Sequence, residues 1–371
     1  MTITPGLLPE GLRDRLPPDA DAAASIMRHT IDAIALWGYQ RVAPPLAEFE
    51  EALISRLKSA RPQDLLRVVD PVSQRSLALR PDITAQVGRI AATRLAASAR
   101  PLRLSYGGPV VKLRATQLRP EREMTQVGAE LIGSDGVAAA AEIVQVAIAA
   151  LEAVGVTGIT VDLTLPDLVD TLAGGPFPLA AEAIPTVRQL LDAKDAACLA
   201  AMGAAAYLPL IEAAGPFDAA VETLRAIDAG GALASRIAGL RAIAGPLAGH
   251  ATVTLDPTER HGFEYQSWFG FSLFAEGLNG EIGRGGSYTV LHDSGVEEPA
   301  VGFSIYPDPL IDFVASQGSA RRLFLPPGTD PAQAAALRAE GWVSVAALGD
   351  ACDPKALGCT HALRDGRPTA L

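Results

Sequence analysis

The chain has 371 residues, 49% of them hydrophobic, with a formal net charge of −11 and an isoelectric point near 5.0. That length accommodates one large domain plus a smaller one, or two or three ordinary domains. The acidic balance argues against a protein whose main task is unspecific nucleic-acid binding, although it leaves room for a local basic patch. Cys198, Cys352 and Cys359 are far apart and lack CxxC spacing, so they suggest neither a disulfide framework nor a zinc site. The opening "MTITPGLLPEGLRDRLPPD" lacks the basic-then-apolar order of a signal peptide. The alanine-rich runs are broken by charge before reaching the roughly 18 apolar residues of a spanning helix. A soluble cytoplasmic protein with no membrane partner is expected.

Taken in order, Asp19 to Trp37 carries Ala23, Ile26, Met27, Ile31 and Ile34 at helical spacing, with Gly38 as a stop. "YQRVAPPLAEFEEAL" predicts a short strand, a break at Pro44-Pro45 and a new helix. "LRVVD" and "SLALR" flank a polar turn and predict a β-hairpin, followed by Pro81 and a helix from about Ile83 to Leu95. "LRLSYGGPVVKL" and "EMTQVGAELIG" predict a second hairpin around an arginine-rich loop. A helix over Gly136 to Val154 and a strand over Ile159 to Leu163 follow.

From about 166 to 249 alanine and leucine dominate without strand candidates, which predicts a helical insertion. Strands resume in "HATVTLD" and "GFEYQSWFGFSLFAEG", and "EIGRGGSYTVL" reads as two strands joined by a glycine turn. "PAVGFSIYPDPLIDFVA" leads into a helix. "RRLFLPPGTDPAQAAALRAEGWVSVAAL" predicts a strand, helix and strand in a small tail. Strand pairs joined by turns point to an antiparallel sheet with helices on it, hence α+β.

One strand carries the functional question. In "EMTQVGAELIG" the period of two places Thr125, Val127, Ala129 and Leu131 on one face and Met124, Gln126, Gly128, Glu130 and Ile132 on the other. Gln126 and Glu130 flank a glycine that is expected to leave room above the sheet, as in a pocket floor. The plainer alternative is an edge strand whose polar residues meet water. Replacing Glu130 by alanine would leave stability untouched if the carboxylate serves a ligand alone.

Several segments together resemble the catalytic core of histidyl-tRNA synthetases, a class II aminoacyl-tRNA synthetase fold. "WGYQRVAPPLAEF" resembles motif 1, "LALRPDIT" the amino-acid-binding hairpin and "GPVVKLRATQLRPEREMTQVGAELIG" motif 2. "HGFEYQ" resembles the histidine-specific signature, and "GRGGSYTVL" with "PAVGFSIYPDPL" resembles motif 3. Order and spacing match over roughly Pro9 to Val314. The resemblance implies a synthetase-like domain over 1–318, containing the insertion, and a small α/β domain over 319–371. It also implies a histidine-binding set of Asp82, Thr84, Gln126, Glu130, Tyr265 and His261.

The departures from the synthetase pattern fall on the nucleotide side. Lys112 stands where motif 2 has an arginine for the α-phosphate, and Arg114 where it has a glutamate. The same loop carries Arg119 and Arg122. Pro309 replaces the motif 3 arginine, Ser287 the arginine of "GGRYD", and His261 the arginine of the signature, with Arg260 beside it. Lysine lacks the guanidinium fork and proline has no charge. Adenylation builds negative charge that needs fixed cations, so ATP-dependent activation is expected to be lost, and no catalytic residue, cofactor or metal is expected.

A retained amino-acid side without phosphate contacts is similar to the regulatory subunits of short-form ATP phosphoribosyltransferase. That resemblance implies a class II-type homodimer within a hetero-octamer of four regulatory and four catalytic chains, with L-histidine as feedback effector. Two other readings stay open: a divergent amino-acid-activating ligase that uses Lys112 and Arg260, and a tRNA-binding paralogue, which the absence of a notable basic patch disfavours. "GRGGSY" is a weak phosphate-loop signal, because a strand follows it rather than a helix. Asp82 has a plain role too, as a negative charge at a helix N-terminus.

Overall fold

The computed structural model describes residues 6–54, 65–113, 120–260, 266–292, 294–316, 321–349 and 352–371. The chain divides into two compact units, Met1–Asp312 and Phe313–Leu371. In the first, α1 (Asp19–Ala35) is followed by β1 (Gln40–Arg41), β2 (Ala47–Phe49), α2 (Glu50–Ile54), β3 (Leu66–Val69), β4 (Ser76–Leu79) and α3 (Thr84–Ala92). Next come β5 (Leu102–Val111), β6 (Glu123–Ile132), α4 (Val137–Glu152) and β7 (Ile159–Thr164). The segment expected to be a helical insertion forms α5 (Leu168–Ala173), α6 (Ile184–Asp192), α7 (Ala196–Ala201), α8 (Pro209–Glu212), the two-residue strand β8 (Gly215–Pro216), α9 (Phe217–Ile227) and α10 (Ala234–Ala244). The unit closes with β9 (Thr252–Leu255), β10 (Gly270–Ala275), β11 (Gly283–Leu291) and β12 (Glu297–Ile305). Helix α11 (Ile311–Ser316) spans the boundary between the units.

Nine strands form one sheet in the order β1-β5-β6-β12-β11-β10-β7-β9-β8. Among the described residues of this sheet only β1 with β5 and β7 with β9 pair in parallel, so the architecture is α+β with a mainly antiparallel sheet. Strand β6 lies between β5 and β12. It is no edge strand, and Gln126 and Glu130 do not meet water. Pro109 is tolerated within β5 because β1 covers only Leu104 and Ser105, so the outer side of the strand needs no donor there.

The two faces of the sheet carry different elements. A side chain at Gly107 would run into Ile31 of α1, whereas one at Gly108 would run into Arg80, just ahead of α3. Helices α1 and α4 therefore share one face, with α4 packing on α1, β6 and β12. On the other face Ile83, Val87 and Ala91 bury against Leu104, Tyr106, Met124, Ile132, Tyr288, Val290 and Ala300. The small sheet β2-β4-β3 leads the chain to that face. Strand β2 follows Pro44-Pro45 directly, where the sequence suggested only a helix.

"GRGGSYTVL" is a single nine-residue strand rather than two strands around a turn. Its glycines relieve crowding. A Cβ on Gly285 would stand 2.5 Å from ring carbons of Phe271 and closer still to the Gly302 carbonyl. The second unit has its own four-stranded sheet, β14-β13-β15-β16, built from β13 (Arg322–Leu325), β14 (Val343–Ala346), β15 (His361–Arg364) and β16 (Arg367–Ala370). Helix α12 (Pro331–Ala339) adds Ala334 and Leu337 to a core with Leu323, Leu325 and Leu363.

Gly285→Ala is expected to lower unfolding free energy in urea by about 1–3 kcal/mol, because backbone and an aromatic ring would have to give way. Gly245→Ala, with nothing within 4 Å of the added methyl, should stay within about 0.5 kcal/mol of the parent protein.

Candidate functional site

The site is assembled where the start of α3 meets the centre of the large sheet. Asp82 uses one carboxylate oxygen as a helix charge does, accepting from the Thr84 backbone N–H at 2.7 Å. Its second oxygen accepts from the Gln126 side-chain amide at 2.8 Å. Gln126 also donates to Ser304 Oγ at 2.8 Å and accepts from the Ile83 backbone N–H at 2.8 Å. With both amide hydrogens used inside a buried site, its orientation is set by its neighbours.

Glu130 sits deeper and is 1% exposed. Tyr106 Oη donates to its Oε1 at 3.0 Å and Tyr288 Oη to its Oε2 at 2.8 Å. Tyr106 Oη also meets Thr84 Oγ1 at 3.1 Å and Ser304 Oγ at 3.0 Å. Asp82, Gln126, Ser304, Thr84, Tyr106, Glu130 and Tyr288 thus form one hydrogen-bonded chain across β5, β6, β12 and β11. The space expected above Gly128 is taken by Tyr106, whose phenol would stand 2.5 Å from a Cβ there. Thr84, Glu130, Arg284, Gly285, Gly286, Tyr288, Gly302, Phe303 and Ser304 line a recess of only ≈ 10 Å³, about the room one water needs.

Burial pushes the Glu130 carboxyl up to about 8, and the charge of Asp82 adds to this. Hydrogen bonds from Tyr288, Thr84 and Tyr106 hold it from rising further. The Tyr106 phenol is raised by burial and by the nearby carboxylates. Arg80, also buried, donates to the carbonyls of Pro109 at 2.8 Å and Pro44 at 2.9 Å, and desolvation lowers its pKa.

The nucleotide-side positions are arranged differently. Arg122 donates to the Lys112 carbonyl at 3.2 Å and the Glu10 carbonyl at 3.3 Å, and the Lys112 N–H donates to the Arg122 carbonyl at 2.7 Å. Ser287 is buried on the face of β11 opposite Tyr288. Its Oγ accepts from the backbone N–H groups of Trp268 and Phe269, each at 3.1 Å. Pro309 lies in the 3₁₀ turn Asp308–Leu310, where Asp308 pairs with Arg15 and accepts from the Thr125 N–H at 3.1 Å. Arg260 donates to the Pro166 carbonyl at 2.6 Å. Arg114, Arg119, His261 and Tyr265 lie outside the described residues. Among the described residues no three His, Cys, Asp or Glu side chains are grouped to hold a metal ion, and no helix is long and apolar enough to cross a membrane.

Tyr106, Tyr288 and Ser304 were not apparent as site residues from sequence. Each reads as an ordinary strand residue, and the available signal was that a buried tyrosine hydroxyl must find a partner. The arrangement offers a small polar ligand a buried carboxyl, neutral hydroxyls and a backbone floor.

A mainly antiparallel sheet that contains a motif 2-like hairpin, β5–β6, defines a protein of the class II histidyl-tRNA synthetase type. The histidyl-tRNA synthetase family profile matches residues 11–310. The chain is 44% identical over 367 residues to an ATP phosphoribosyltransferase regulatory subunit of Paramagnetospirillum magneticum, covering 96% of each. The chain belongs to the family of ATP phosphoribosyltransferase regulatory subunits. Its fold is similar to a Bacillus halodurans structure described as an ATP phosphoribosyltransferase regulatory subunit/histidyl-tRNA synthetase. The TM-score is 0.81, with 24% identity, over 96% of this chain and 97% of that one. A chain of an ATP phosphoribosyl transferase (HisG:HisZ) complex from Thermotoga maritima shares the fold at TM-score 0.58 and 16% identity, over 78% of this chain and 98% of that one.

Two consequences concern Glu130. Removing it by alanine would strand two phenols and open a void, so a loss of about 2–4 kcal/mol is expected instead of unchanged stability. Glu130→Gln keeps the volume and separates the charge from the packing. The folded chain holds the Glu130 proton up to about pH 8, whereas an ordinary carboxyl releases it near 4.5. Over that window the unfolded state binds fewer protons, so this group makes stability fall as pH rises. Urea unfolding from about pH 5 to about pH 8 should show the wild type losing ground against Glu130→Gln; a pH-independent difference would contradict the assignment.

Proposed function

We propose that this chain is a non-catalytic regulatory subunit that binds the short catalytic chain of ATP phosphoribosyltransferase and senses L-histidine at the recess around Glu130. The reading rests on one observation above all. The residues that an amino-acid ligand would need, Asp82, Thr84, Gln126 and Glu130, converge in a single network, and the positions that would grip phosphates do not. Ser287 and Pro309 carry no charge, and the Arg122 guanidinium is engaged by main-chain carbonyls. Among the described residues, Ser287, Pro309 and Arg122 offer a pentacoordinate phosphate no comparable set of fixed cations. Tyr265 and His261 complete the proposed histidine-binding set.

Family membership supports the partner, since relatives across the full length carry the regulatory-subunit name. A class II-type homodimer inside an assembly of four regulatory and four catalytic chains is the proposed organisation. A tRNA ligand is disfavoured by the insertion. Its basic residues, Arg188, Lys194, Arg225, Arg236 and Arg241, each pair with a carboxylate, so a phosphate backbone would have to displace existing partners.

Histidine brings a cation to a carboxyl that holds a proton at neutral pH, so binding should expel that proton. Calorimetric titration with L-histidine at about pH 7 is expected to give an enthalpy that scales with the buffer's ionisation enthalpy. Glu130→Gln should weaken binding by at least about tenfold and abolish the buffer dependence. Equal binding by the variant would remove Glu130 from the site. Size-exclusion chromatography of the chain with the short catalytic subunit should give one larger species, and two unshifted peaks would contradict the partnership.

A further inference from the structure

The strand that carries Gln126 and Glu130 is gripped at its leading end by the N-terminal segment of the chain. The Gly11 carbonyl accepts the Arg122 backbone N–H at 2.8 Å, one residue ahead of β6, and the Glu10 carbonyl accepts from the Arg122 guanidinium at 3.3 Å. Gly11 has φ +76°, and a Cβ there would stand 2.7 Å from the Arg122 side chain and 2.9 Å from the Pro120 carbonyl oxygen. A left-handed backbone in so close an approach requires glycine. Farther along the same segment, Arg15 forms an ion pair with Asp308.

Asp308 completes the edge of β6 where its neighbour gives out. Strand β12 ends at Ile305, opposite Val127, and the chain turns away through Asp308–Leu310. Thr125 lies beyond that last pair, and its N–H, which points to the β12 side, would be left without a strand acceptor. One Asp308 carboxylate oxygen accepts it at 3.1 Å, and the other takes the Arg15 guanidinium. With side chains 14% and 25% exposed, the aspartate is held in place by the arginine rather than drawn out to water. The next residue is Gln126, which is fully buried. Its backbone pairs with Gly108 of β5 on one side, so the bond from Thr125 to Asp308 secures the strand on the other.

We propose that Arg15 is a positioning residue of the amino-acid site: through Asp308 it fixes the Thr125 backbone, and with it the Gln126 amide that orients Asp82. Arg15 does not line the recess, so it acts at one remove from any ligand. The Gln126 amide serves Asp82, Ser304 and Ile83 at once, each at 2.8 Å. Three hydrogen bonds from one side chain tolerate little displacement of its backbone, because each weakens steeply with distance and angle. Without the guanidinium the Asp308 carboxylate swings toward water, Thr125 loses its acceptor and Gln126 shifts against Asp82. A binding constellation loses its fit on displacements of about 0.5 Å. This inference rests on the reading of the recess as a histidine site.

The test is calorimetry of the full chain with L-histidine on four proteins: wild type, Arg15→Met, Gln126→Ala and the double variant. Arg15→Met should weaken binding about tenfold, with the thermal midpoint close to wild type. In the Gln126→Ala background the same substitution should change the dissociation constant by less than about twofold, because the group that Arg15 positions is gone. A merely structural role would weaken binding equally in both backgrounds. That result, or an Arg15→Met variant that binds L-histidine as tightly as wild type, overturns the positioning role while leaving the histidine reading intact. A folded wild type that binds no L-histidine removes the histidine reading and this inference together. If Arg15→Met does not fold, Arg15→Gln removes the charge and keeps a polar end, and it is judged by the same pair of ratios.

Discussion

A carboxyl group buried within a nine-stranded sheet has to be accommodated by everything around it, and Glu130, on an interior strand, is so placed. Full desolvation penalises its ionised form, and no fixed cation is seen bonded to it among the described residues; two tyrosine hydroxyls hold it instead. Tyr106 must then come from β5 and Tyr288 from β11, with β12 between β11 and β6 carrying Gly302 so that the carboxylate has somewhere to lie. The glycine positions, the buried phenols and the docking of α3 through Thr84 all follow from that one constraint. Replacing a whole buried polar cluster with well-packed apolar residues is often neutral or even stabilising, whereas removing Glu130 alone strands its tyrosine partners. Stability alone therefore does not call for a polar cluster at this place in the sheet.

The division between the two halves of the site has a simple electrostatic logic. Recognition of an amino acid needs acceptors for an ammonium group and a polar contact for a side chain, and these remain joined in one network. Activation needs several cations aimed at one phosphate, and here the corresponding positions are an uncharged proline, a serine facing the other side of its strand and an arginine engaged by main-chain carbonyls. A family of regulatory subunits built on a synthetase fold fits that division, because sensing requires differential binding and no bond making.

Much of this was legible in the sequence. Alternation in "EMTQVGAELIG" correctly put Gln126 and Glu130 on one face, since a period of two survives whatever the strand packs against. The helices and hairpins followed from amphipathic spacing and turn residues. The glycines of "GRGGSYTVL" misled, because paired glycines signal turns when only local geometry is weighed. Their reason, the closeness of Phe271 and the β12 backbone, is purely tertiary. Tyr106, Tyr288 and Ser304 escaped notice for the same reason: they lie on separate strands, and only strand register brings them together. Gly128 looked like space and proved to be filled, since an absent side chain leaves room for a neighbour as readily as for a ligand.

The most direct measurement is phosphoribosyl transfer from phosphoribosyl pyrophosphate to ATP by the short catalytic chain, with and without this protein, across a titration of L-histidine, alongside ATP–pyrophosphate exchange by this protein alone. The account requires transfer that depends on the protein and is inhibited by L-histidine, with inhibition relieved by Glu130→Gln and no exchange above background. Histidine-dependent exchange by the isolated chain, together with no effect on the catalytic partner, would contradict it and identify an activating ligase instead.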